Sequence, residues 1–123
     1  MNRIKVPLED IQQCREKVLR AFKSLRKENI RARANFWCCM GCATAALDIK
    51  GKKGGVYWHN QDEERFREDG YLHIGFCTED GKTCQALGQS LVDALKAQGA
   101  DVEWDGTSDT RVCVYAEGAR ESK

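Results

Sequence analysis

The sequence predicts an α+β fold, a mixed sheet of about five strands carrying two long amphipathic helices and two short ones. Three observations lead there. Two segments repeat apolar residues every three or four positions, several short segments alternate them, and the last two alternating segments are separated by a turn. A closing hairpin in a chain of otherwise alternating helices and strands argues against a purely parallel sheet. The chain has 123 residues, the size of one domain, and we read 1–123 as a single unit with an ordered core over about 8–116 and a polar tail over 117–123.

The first helix runs from about Pro7 to Glu28, because Leu8, Ile11, Cys14, Val18, Phe22 and Leu25 form one stripe. Glu9 and Asp10 suit the positive end of its dipole, and Arg26 and Lys27 the negative end. Ile30, Ala32, Ala34 and Phe36 then alternate as a strand. An alanine-rich stretch over 42–50 ending at Gly51 predicts a short helix, and the basic, glycine-rich run from Lys50 to Gly55 predicts a loop. A strand follows at Val56–His59, and Asn60 with Glu63 resembles a capping pair that opens a short polar helix stopped by Gly70. Leu72, Ile74 and Phe76 mark a third strand. Cys84, Leu87, Leu91, Val92 and Leu95 make the second strong stripe, ending at Gly99. Val102 and Trp104, a turn beginning at Asp105-Gly106, and Val112, Val114 and Ala116 form the hairpin.

Composition narrows the function classes. Apolar residues are 41% and charged residues 32%, enough for one core and too polar for a membrane protein. The longest nearly uncharged stretch, Ala34 to Leu47, falls short of the ~20 residues a spanning helix needs, and no apolar run follows the first residues as an export signal would require. The net charge of +1 hides a division: residues 1–53 hold 13 Lys and Arg against 5 Asp and Glu, and residues 54–123 hold 7 against 14. Such halves neutralise each other across a fold or meet an oppositely charged partner. Seven cysteines are an odd number in a chain with enough periodic helix for a core, so we expect reduced thiols and a cytoplasmic location.

The densest chemistry is at Phe36-Trp37-Cys38-Cys39-Met40-Gly41-Cys42. The two-residue gap between Cys39 and Cys42 suits two thiolates on one metal or one disulfide, and a helix start would lower a thiol pKa. Burial as small apolar side chains explains the same residues. For a metal such as zinc, Cys38, Cys39 and Cys42 with His59 are the candidate ligands. The redox alternative lacks the cis-proline loop of thioredoxin-like folds, since Pro7 is the sole proline. His59 and Asp62 stand where a strand enters a helix, and with Cys39 or Cys42 they form a candidate nucleophile, base and orienter. The plainer account has Asn60 and Asp62 capping the helix while His59 packs. The basic face of the first helix is what any docked amphipathic helix shows, which argues against nucleic acid as a partner.

Arg33-Ala34-Asn35-Phe36 leading to Cys38-Cys39 and Cys42, then Tyr57-Trp58-His59 with Gln61-Asp62, then Gly99 before Val102-Glu103-Trp104-Asp105-Gly106 and Arg111, resembles a family of small bacterial proteins grouped as a domain of unknown function. The resemblance runs from about residue 8 to residue 116. It implies no activity, substrate or cofactor. It does mark Cys38, Cys39, Cys42, His59, Gln61, Asp62, Trp104, Asp105 and Arg111 as matching the family pattern, with Gln61, Trp104, Asp105 and Arg111 as candidate binding residues, and it leaves Cys14, Cys77, Cys84 and Cys113 outside. Two classes stay open: a binding or adaptor domain with structural cysteines, meeting a protein partner or a second copy, and a metal or thiol site on Cys38, Cys39 and Cys42 with His59.

Overall fold

In the computed structural model, residues 6–34, 51–78, 83–107 and 110–119 are described. Their elements are α1 (Leu8–Lys27), β1 (Ile30–Arg33), β2 (Gly54–Tyr57), α2 (Asn60–Asp69), β3 (Tyr71–Cys77), α3 (Cys84–Ala97), β4 (Asp101–Glu103) and β5 (Val112–Tyr115). The strands form one sheet in the order β1-β2-β3-β5-β4. β1 runs parallel to β2, and all other neighbours are antiparallel, so the sheet is mixed. The register Val102↔Val114 is the expected hairpin.

The helix inventory needs correction. Among the described residues there are three helices, one long at 20 residues and two shorter at 10 and 14, in place of two long and two short. The second stripe does run from Cys84 to Ala97, before Gly99 at φ 78°, but its 14 residues make it a short helix beside α1. The segment 42–50, read as a short helix, lies outside the described residues.

Strand limits also shift. Gly54 and Gly55, read as loop, belong to β2 and pair with β1. A Cβ at Gly54 would lie 2.6 Å from Leu87 Cδ2 and 2.7 Å from the Cys77 carbonyl, so the missing side chain is what lets the strand sit against β3 and α3. β2 ends at Tyr57, before His59, and β1 ends at Arg33.

The α1 stripe buries Ile11, Cys14, Val18, Phe22 and Leu25, with Ala21 beside them, whereas Leu8 at its first turn is 74% exposed. α3 buries Leu87, Leu91, Val92 and Leu95. The two helices pack together over the sheet face that carries Val56, Leu72, Ile74, Val112 and Val114. Val6 and Ala119 are buried too, packed around the space that a Cβ at Gly70 would fill.

Leu91 is fully enclosed. Leu91→Ala should destabilise the protein by about 2–5 kcal/mol through lost burial and the cavity left behind, seen as a lower chemical-denaturation midpoint. An unchanged midpoint would contradict the packing of α3.

Candidate functional site

Beyond β2 the chain turns inward. Trp58 packs against Phe22 with the rings tilted and their centroids 5.3 Å apart, and its indole Nε1 donates to Glu63 Oε1 at 3.1 Å. His59 then opens α2 as its N-cap. The Asp62 N–H donates to His59 Nδ1 at 3.4 Å and the His59 N–H donates to Asp62 Oδ2 at 3.3 Å, a reciprocal capping box. The box therefore sits one residue earlier than the Asn60–Glu63 pairing read from the sequence. Nε2 of the same ring lies 3.2 Å from Asp62 Oδ2. Both ring nitrogens are thus engaged by one residue, and His59 is only 5% exposed.

Asp62 also receives Arg111, whose Nη1 lies 3.0 Å from each carboxylate oxygen. Arg111 is delivered there by the turn before β5. Asp105 Oδ1 accepts from the Thr107 N–H at 2.9 Å and the Thr107 hydroxyl at 2.8 Å, and Oδ2 accepts from the Thr110 hydroxyl at 2.9 Å. Hydrogen bonds from Thr107, backbone first, and from Thr110 hold the Asp105 carboxyl below the usual range. Trp104 Nε1 donates to the carbonyls of Thr107 and Thr110, while its ring meets Phe76 edge-on at 5.8 Å. That ring fills the space beside Gly88, where a Cβ would come within 2.6 Å of it. Trp104, Asp105, Thr110, Arg111, Asp62 and His59 thus form one mechanical chain.

The second buried carboxylate was not foreseen. Glu63 pairs both oxygens with the Arg15 guanidinium and accepts from Arg67 Nε at 2.9 Å. Arg15 itself lies over Phe66, 5.1 Å from the ring centre. Burial pushes the Glu63 pKa up, but hydrogen bonds from Arg15, Trp58 and Arg67 and the Arg15 charge outweigh it, leaving the carboxyl below its ordinary value. One sequence signal could have found the pair: Arg15 stands four residues after Ile11 and three before Val18, within the spacing of the apolar stripe.

Of the other candidates, Gln61 is exposed on the first turn of α2. Cys38, Cys39 and Cys42 lie outside the described residues. The four described cysteines, Cys14, Cys77, Cys84 and Cys113, are free thiols. Burial pushes the Cys14 thiol up to about 12 and raises that of Cys77 as well. Among the described residues no three His, Cys, Asp or Glu side chains converge as a metal site, and no helix is long and apolar enough to cross a membrane. On the sheet face away from α1, His73, Glu103, Asp105, Arg111 and Cys113 line an open groove of about 620 Å³.

These features define an α+β domain with a mixed sheet and two arginine-held carboxylates at the start of one helix. The family model described as Domain of unknown function (DUF6891) matches residues 10–120, and the chain belongs to that family. No curated protein and no solved structure matches the chain.

The lowered pKa of Glu63 sets a sign for acid stability. The stabilisation is fully present above the unfolded value near 4.5 and is lost as pH falls from there through the folded pKa. Arg15→Ala leaves a buried carboxylate with weaker partners and should cost about 3 kcal/mol at neutral pH, with a smaller penalty in acid. An equal penalty at pH 7 and pH 3 would contradict the pairing.

Proposed function

We propose that the protein is a binding domain in which the described cysteines are packing residues and the centre of His59, Asp62 and Arg111 is structural. The observation that supports this most is that both nitrogens of the His59 ring already face Asp62. A general base must direct a lone pair at its substrate. His59 Nδ1 accepts from a backbone amide, and Nε2 lies beside a carboxylate. Glu63 is shifted away from the raised pKa that a proton donor needs at neutral pH. Cys14, pushed up to about 12, stays a protonated and poorly nucleophilic thiol. Recognition then falls to exposed surface, where side chains held by a rigid frame meet a partner.

Diethyl pyrocarbonate labelling with peptide mapping tests the role of His59, one of two histidines in the chain. The folded protein should protect His59, and denaturation should expose it. Labelling of His59 in the folded state as fast as in the denatured state would contradict a structural role. Stoichiometric zinc in freshly purified protein, released by a chelator with loss of stability, would also contradict the reading by giving Cys38, Cys39 and Cys42 a ligand role.

A further inference from the structure

The end strand β1 borders two adjoining cavities. One, of about 380 Å³, is lined by Arg26, Arg31, Arg33 and Lys52 with Ile30 and Ala32 between them. The other, of about 340 Å³, lies between Ile30, Lys53 and the first turns of α3 at Ala86 and Leu87. Ile30 lines both, so a cationic compartment opens beside an apolar one.

The cations are arranged by the fold. Arg26 Nε and Nη2 donate to the Ala32 carbonyl at 3.2 and 2.8 Å, which fixes that guanidinium against the outer edge of β1. Arg31 Nε is buried and makes no hydrogen bond among the described residues, a donor whose desolvation has no return within the fold. Arg31 and Arg33 are both odd-numbered on β1 and so project to the same side of the strand, while Lys52 and Lys53 arrive from the loop before β2. The N-terminal turn of α3 adds the positive end of a 14-residue helix to the apolar compartment.

We propose that this edge binds a small phosphorylated compound with an apolar body, the phosphate on Arg26, Arg31, Arg33 and Lys52 and the body against Ile30, Ala86 and Leu87. Guanidinium groups match phosphate oxygens in pairs, and none of the described residues lining the cationic cavity is a carboxylate. Each cavity is in the size range of small-molecule sites, and the apolar one explains why the ligand carries more than phosphate. The assignment rests on the binding reading above and names its ligand class.

Calorimetric titration of the full chain with octyl phosphate, below its micellar concentration, and with inorganic phosphate tests it. Octyl phosphate should bind at least about tenfold more tightly, since burying a few methylenes is enough for that ratio. Arg31→Gln and Lys52→Gln should each weaken both ligands by about fivefold or more, with the unfolding midpoint unchanged. Ala86→Asp, at an exposed helix position, should weaken octyl phosphate more than inorganic phosphate. Equal affinity for the two compounds, or full binding by Arg31→Gln, would overturn the site. Tighter binding of a ten-residue oligothymidylate, falling steeply with salt, would overturn it in favour of a polynucleotide. If the phosphate compounds fail while His59 stays protected from diethyl pyrocarbonate, the ligand site falls and the structural role of His59 stands.

Discussion

The Asp62 carboxylate is the constraint on which the rest of the polar centre depends. It closes the capping box with His59, lies 3.2 Å from His59 Nε2, and takes the Arg111 guanidinium. Through these contacts it joins the exit of β2, the start of α2 and the entry to β5. Side-chain exposure of 7% makes the carboxylate costly to leave unpaired, and Trp104, Asp105, Thr107 and Thr110 are tied together by hydrogen bonds just ahead of Arg111. That turn must place Arg111 within reach.

The sheet order gives physical meaning to the divided charge. β1, with Arg31 and Arg33, is one end strand, and β4, with Asp101 and Glu103, is the other. The basic and acidic halves of the sequence therefore meet at Arg15–Glu63 across α1 and α2, while Arg31 and Arg33 stand on one end strand and Asp101 and Glu103 on the other. The net charge of +1 thus conceals end strands of opposite sign.

Periodicity made most of the fold legible. The stripes of α1 and α3 and the alternation of Leu72 and Ile74 all reappear as core. What periodicity missed follows from close approach and pairing. Gly54 and Gly55 have loop composition, yet both pair in β2, and at Gly54 Leu87 and the Cys77 carbonyl occupy the space of a side chain. The cap moved from Asn60 to His59 because histidine rarely caps and its ring nitrogen is not an obvious acceptor from sequence. Of the candidate site, His59, Asp62 and Arg111 do converge, although 49 residues separate the last two. Their spacing carried no sign of the contact or of its role, since a catalytic pair and a buried ion pair use the same residue types. The Arg15–Glu63 ion pair was not legible because Arg15 reads as solvent-facing and Glu63 reads as a helix cap.

The central claim is that Asp62 and Arg111 act as one structural unit. A double-mutant cycle measures it most directly, comparing the unfolding free energies of the parent chain, Asp62→Asn, Arg111→Met and the double variant. A coupling energy of about 1–3 kcal/mol is predicted for a contact of this burial, and a coupling indistinguishable from zero would contradict the account.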